Sequence, residues 1–185
     1  MVCLGAACNS TFVPKPRGYF AVPLPEKKYQ IFQQAGYPYS FEYPVYASIE
    51  KDSLFFEQKA ENDWWLNIQY PQFNATLHIS YKQIGKNQFE QLVKDAYTLT
   101  QKHTSKANSI DDSLMLTPNG VRGIFFTVGG NVATENQFFL SDSVRHYVRG
   151  ALYFDATPNQ DSLQPITQFL VADVKHLINT FKWKQ

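Results

Sequence analysis

The sequence predicts an α+β fold, an antiparallel sheet of about five to seven strands flanked by two main helices. Three observations predict it. Between residues 121 and 184, three strand-like segments follow one another and lead into a long amphipathic helix. Between residues 41 and 82, a second block of strand-like segments leads into another helical pattern. The order is therefore strands, helix, strands, helix, without the βαβα alternation of a parallel sheet.

Taken in order, the chain opens on an arm. Residues 9–40 carry Pro14, Pro16, Pro23, Pro25 and Pro38 and show no sustained periodicity, which predicts an extended segment. Its Tyr19, Phe20, Tyr29, Phe32 and Tyr37 are too many aromatics for a solvated linker, so the later part is expected to pack down. Residues 41–44 and 45–51 then read as strands. Trp64, Leu66, Ile68 and Tyr70 alternate with Trp65, Asn67 and Gln69, and Ala75, Leu77, Ile79 and Tyr81 alternate with Thr76, His78 and Ser80. Pro71-Gln72-Phe73 joins these two strands as a hairpin. Asn87 and Glu90 have capping-box spacing, and Phe89, Leu92, Val93, Ala96 and Leu99 predict the buried stripe of a helix to about His103.

Residues 105–118 are polar apart from Leu114-Met115-Leu116 and predict a short element or the start of a strand. Segments 121–128, 133–141 and 145–156 are rich in β-branched and aromatic residues. They predict a meander turning at Gly129-Gly130-Asn131 and Ser141-Asp142-Ser143. Ile166, Phe169, Leu170, Val174, Leu177, Ile178 and Phe181 then fall on one helical face, which must lie on the sheet. Asp161 or Ser162 is the expected N-cap, and Pro165 is placed in the first turn, where N–H groups have no intrahelical partner.

With 185 residues, 44% hydrophobic and 16% aromatic, the chain fits one domain that buries its core without disulfides or metals. Seventeen basic against sixteen acidic residues leave a formal charge of +1, which gives no electrostatic reason to bind nucleic acid. No apolar run approaches the roughly 18 residues of a membrane helix. Both cysteines, Cys3 and Cys8, precede residue 10, so the remainder has no thiol for a disulfide, a zinc site or a nucleophile.

Leu4-Gly5-Ala6-Ala7-Cys8, followed by polar Asn9-Ser10-Thr11, resembles the end of a bacterial lipoprotein signal, where small side chains precede the cysteine that is acylated. Seven residues precede Cys8 and none is Lys or Arg, whereas a secretory signal has a charged start and an apolar run of about 7 to 15 residues. Either the true start lies further upstream, or the terminus is an ordinary one with two free cysteines.

No phosphate loop, nucleophile elbow or zinc-protease motif is present, so no reaction and no cofactor or metal is implied. The four histidines, His78, His103, His146 and His176, are scattered; pairings such as His78 with Glu42 or His146 with Asp142 remain open. The densest polar and aromatic cluster is residues 145–149. On a strand, Arg145, Tyr147, Arg149 and Tyr153 share one face, and His146, Val148, Leu152 and Phe154 the other. Arg and Tyr are enriched in interfaces, so the first face is a candidate binding surface. The same pattern fits a face covered by the arm or paired with acids across strands.

Several segments together resemble the GldD family of gliding-motility lipoproteins from Bacteroidetes. They are PKPRGYF at 14–20, LPEKKYQ at 24–30, PYSFEYP at 38–44, NATLHISYK at 74–82, HTSKA at 103–107, RGALYF at 149–154, PNQDSLQP at 158–165 and TFKWK at 180–184. The resemblance implies acylation at Cys8, with residues 1–8 a signal remnant, 9–20 a tether and 21–185 one α+β domain. It implies a membrane-anchored envelope protein facing the periplasm, required for gliding and tied to the type IX secretion machinery. Its partners would be other gliding and secretion proteins, and no catalytic residue is implied. The layout is also similar to the PsbP-like fold of accessory and assembly factors, an analogy that does not fix function. The alternative is a small-ligand binder or enzyme with a cleft bordered by Arg145, Tyr147 and Arg149.

Overall fold

Alternation of apolar and polar side chains makes two-faced strands of segments 66–70 and 75–83, each with one face buried. A computed structural model describes residues 22–52, 54–55, 58–102 and 106–184, with 54–55 and 58–59 described in backbone only. In chain order the elements are β1 (Tyr29–Phe32), β2 (Tyr39–Pro44), β3 (Ser48–Lys51), β4 (Leu54–Phe55), β5 (Gln58–Lys59), β6 (Leu66–Tyr70) and β7 (Ala75–Gln83). They continue with α1 (Phe89–Gln101), β8 (Ala107–Leu116), β9 (Arg122–Gly130), β10 (Asn136–Ser141), β11 (His146–Phe154), α2 (Gln160–Thr180) and β12 (Lys182–Trp183). Among the described residues, seven strands form an antiparallel sheet in the order β3-β6-β7-β11-β10-β9-β8, and β1-β2-β12 form a small second sheet. The expected α+β architecture, a sheet between two main helices, is the one observed.

The sheet has two cores because each face is covered by a different helix. Leu66, Ile68, Leu77, Ile79 and Tyr81 are buried on one face with Phe138, Leu140, Val148 and Leu152, beneath Leu170, Val174, Leu177 and Ile178 of α2. Phe32, Tyr39 and Phe41 of the small sheet join this core, with Phe181 stacked on Tyr39 at 5.5 Å. On the other face, Leu92 and Ala96 of α1 cover Phe126, Phe139 and Tyr147. Gly150 sits opposite Phe138, and a Cβ there would lie 2.2 Å from the Phe138 ring, so the glycine makes room for an aromatic in the neighbouring strand.

Several local expectations are corrected. The N-cap of α1 is Gln88 and makes no side-chain cap bond, because the Asn87 amide turns away to Glu61 Oε1 and the Gln83 carbonyl. Thr100 takes the buried position expected for Leu99, its hydroxyl satisfied by the Ala96 carbonyl. In α2 the cap is Asn159, whose side chain accepts from the Ser162 N–H, two or three residues earlier than expected. Pro165 is consequently inside the helix, and the carbonyl left without its donor belongs to exposed Asp161, where water can serve. The polar stretch 105–118 holds a ten-residue edge strand, β8. The hairpin between β6 and β7 turns through a 3-10 segment ending at Asn74, left-handed at φ 46°.

Candidate functional site

The second core is not closed at one end. The first residues of α1 stand apart from β8 and leave a groove of about 500 Å³ lined by Phe89, Val93, Leu114, Leu116, Ile124 and Phe139, with Arg122, Ser141 and Ser143 at its polar margin. Large apolar side chains reach solvent beside it: Leu114 is 87% exposed, Leu116 70% and Val144 70%. Leu114 pairs with Ile124 and Leu116 with Arg122, so both leucines lie on the α1 face of the sheet. β8 bonds β9 on one side and no strand among the described residues on the other.

At the other end of the sheet the arm comes in. Gln72, in the β6–β7 turn, donates to the Pro23 carbonyl at 2.8 Å. The groove end is marked by Ser141, level with Tyr147 and Lys82, and the nine residues of β7 separate the two ends. That is about 25 Å along the strands. The arm is locked down by Asp173, a carboxylate with no exposed side-chain area in the apolar stripe of α2. It accepts from Lys27 Nζ at 2.6 Å, from the Tyr29 hydroxyl at 2.9 Å and from the Tyr46 hydroxyl. Lys27 also donates to the Phe169 carbonyl at 2.7 Å and lies 3.3 Å from the centre of the Phe169 ring. Burial pulls the Lys27 ammonium below its ordinary pKa against the opposing pull of Asp173, and burial with the Asp173 bond pushes the Tyr29 phenol up to about 12. A sequence signal for this knot existed: Asp173 lies three residues after Leu170 and four before Leu177, a charge where the stripe calls for an apolar residue.

The predicted Arg and Tyr face is only partly assembled. Tyr147, Arg149 and Tyr153 do share a face of β11, but Arg145 precedes the strand and is exposed in the β10–β11 turn. Tyr147 is 3% exposed beneath α1, stacked on Phe139 and donating to the Leu92 carbonyl at 3.2 Å, so it is no part of an open surface. The strand period gave the face correctly; which stretch of it a helix covers is a tertiary fact. Arg149 is half-buried and donates to Gln137 Oε1, while Gln137 Nε2 is buried without a partner among the described residues. Tyr153 lies edge-on to His78 at 5.5 Å.

The histidine pairings also differ. Glu42 bonds His176 Nε2 at 2.6 Å, on a ring stacked 3.6 Å from Tyr29, rather than His78. His78 Nδ1 meets Asn67 Oδ1 at 2.6 Å, and His146 Nδ1 meets the Tyr81 hydroxyl at 2.7 Å with its ring stacked on Trp183. The Asp142 carboxylate instead accepts the backbone N–H groups of Val144, Arg145 and His146. Among the described residues no group of three His, Cys, Asp or Glu side chains is placed to hold a metal, and no helix is long and apolar enough to cross a membrane. Cys8, the segment 9–20 and His103 lie outside the described residues.

Comparison with solved structures finds the same fold in cyanobacterial PsbP (CyanoP) from Synechocystis sp. PCC 6803, known from its solution structure. It is 10% identical with a TM-score of 0.50, over 87% of this chain and 95% of that one. At that identity the likeness concerns the fold alone. Comparison with curated proteins finds no significant match. The family model described as gliding motility lipoprotein GldD matches residues 9–183, which span both cores, the arm knot and the open groove. Matched over nearly its whole length, the chain belongs to the gliding motility lipoprotein GldD family, and so to the membrane-anchored lipoproteins of the envelope.

Proposed function

We propose that this protein is a non-catalytic, protein-binding subunit of the gliding apparatus, associated with type IX secretion components and facing the periplasm. The observation that carries the reading is the apolar groove with Leu114 and Leu116 bare beside it, at the end of the sheet away from the entry of the arm. Monomeric domains rarely leave such a patch open unless something covers it in use. Acylation at Cys8 would anchor the arm. One acyl chain gives marginal membrane binding at about 0.8 kcal/mol per buried CH₂, and several chains give stable binding. The Lys27–Asp173 knot then transmits that anchor to a rigid core.

The test is made in the native host with the tagged, signal-complete protein. Cys8→Ala is expected to move the protein from the membrane to the soluble fraction, and crosslinking of the wild type is expected to recover gliding or secretion components in fixed proportion. Recovery of the protein alone, under conditions that preserve other envelope complexes, defeats the subunit reading.

A second reading, a binder of a small anion, is favoured by Arg149. Its guanidinium finds a neutral amide and no carboxylate among the described residues, with the buried Gln137 donor beside it. Citrate or phosphate raising the melting temperature of wild type but not of Arg149→Leu would support that reading.

A further inference from the structure

We propose that β8 takes up an extended segment of a partner protein as an added strand. The segment would carry basic residues beside Asp111 and Asp112 and large apolar residues over the groove. This rests on the protein-binding reading and names the chemistry of the partner.

The argument starts from how sheet edges are normally protected. A strand edge presents unpaired N–H and C=O groups, and proteins blunt it with bulges, charges, prolines or a covering element. Among the described residues, β8 has such devices over only part of its length. Its register is broken between Ala107 and Ser109, and Asp111 and Asp112 occupy its middle. From Ser113 to Leu116 there is no charge, proline or bulge, and this is the part that borders the groove. Protection stops where the apolar surface begins.

The side chains then specify the occupant. Asp112, Leu114 and Leu116 share the α1 face, while Asp111, Ser113 and Met115 share the other. A strand added to β8 places alternate side chains beside Leu114 and Leu116, over the groove left by α1, and its preceding or following residues beside Asp112. Neither aspartate has a basic partner among the described residues; Asp112 accepts only the Tyr97 hydroxyl, at 3.0 Å. A second copy of this chain fits poorly. Antiparallel pairing of two β8 strands along their whole length sets Asp111 of each against Asp112 of the other, and like charges directly opposite are destabilising. A register centred on Met115 avoids the charges but pairs little beyond Leu114 and Leu116. Charge and shape therefore favour a different chain, basic and apolar by turns.

The experiment places a photocrosslinking residue at position 116 of the full-length protein in its native host, with position 31, where Ile31 is 65% exposed on β1, as control. Crosslinked peptides are mapped, and a synthetic peptide of the mapped segment is added to purified protein for hydrogen exchange. The expected result is one partner segment with alternating apolar residues and Lys or Arg, captured from 116 and not from 31. Its peptide slows exchange of the 113–116 amides. L114K, added to the protein that carries the crosslinker at 116, is expected to lower the crosslink yield about tenfold or more; L114K/L116K should weaken peptide binding, and D111K/D112K should weaken it most at low salt. These variants should melt close to the wild type, because the replaced side chains are exposed and the one bond lost, from the Tyr97 hydroxyl to Asp112, lies at the surface. Capture of lipid or of a second copy overturns the proposal. Co-purification of a partner in wild-type proportion by L114K/L116K overturns it while leaving the subunit reading intact, and recovery of the chain alone removes both.

Discussion

A carboxylate without exposed side-chain area is tolerated only if its charge is matched and its lone pairs are used, and Asp173 meets both conditions with Lys27, Tyr29 and Tyr46. Asp173→Asn is expected to cost roughly 3 to 5 kcal/mol, because it strands the Lys27 ammonium. Adding Lys27→Met to that variant should cost little more, since the stranded charge is then gone. Urea denaturation of the two single variants and the double measures this coupling, and simple additivity of the two losses would refute it. Gly150 is the opposite case, a residue defined by the space it does not fill. Gly150→Ala puts a methyl 2.2 Å from the Phe138 ring, which is fixed between Gly150 and Phe125. A loss of about 1 to 3 kcal/mol is expected from overpacking, and a melting temperature equal to wild type would show that the ring moves aside freely.

At the level of elements, the first turn of α2 separates two assignments of its start. With Asn159 as the cap, Asn159→Ala should cost about 1 kcal/mol while Ser162→Ala stays within about 0.5 kcal/mol of wild type. The reverse ranking in chemical denaturation would restore the cap expected from the sequence. The elements legible in advance were those whose burial is periodic or two-sided. β6, β7 and the stripes of both helices show their period directly in the sequence, because each has one face on a core, whereas β9, β10 and β11, buried in part or whole on both faces, show instead as runs of β-branched and aromatic residues. β8 did neither, since an edge strand with most of its side chains exposed has no alternation to display. β1 was hidden in the proline-rich arm, and its pairing with β2 supplies the packing that the arm's aromatics foretold. The candidate site was the least legible part. The groove arises from where α1 stops covering the sheet, and the burial of Tyr147 arises from where it starts; neither position is written in the local pattern.

For the whole molecule, the buried titratable groups set the range of pH over which the fold is stable. His78 and His146 are held below their ordinary pKa by burial, against the pull of Asp52 and Asp142, and are pushed further by Arg149 and Arg145 respectively. The folded state therefore prefers both rings neutral. Their contribution is complete above the unfolded value of about 6.5 and is lost as pH falls from there through the folded values, where the unfolded chain binds the extra protons. The tyrosines act at the other end. Burial raises Tyr39, Tyr46, Tyr70 and Tyr147, and raises Tyr29 and Tyr81 to about 12. Stabilisation from groups raised in the fold is complete below the unfolded tyrosine value of about 10 and is lost as pH climbs past it. The melting temperature is thus expected to be highest between about pH 7 and 9.5, to decline gently toward pH 5.5 and to fall steeply above pH 10. H78Q/H146Q should flatten the acid limb even if its overall stability is lower, because the slope and not the height reports the two rings. On the alkaline side, tyrosinate absorbance should rise together with loss of the fold. A full tyrosinate rise near pH 10 in protein that is still folded would mean that these phenols meet water, and with it the packing of the aromatic core around the small sheet would have to be redrawn.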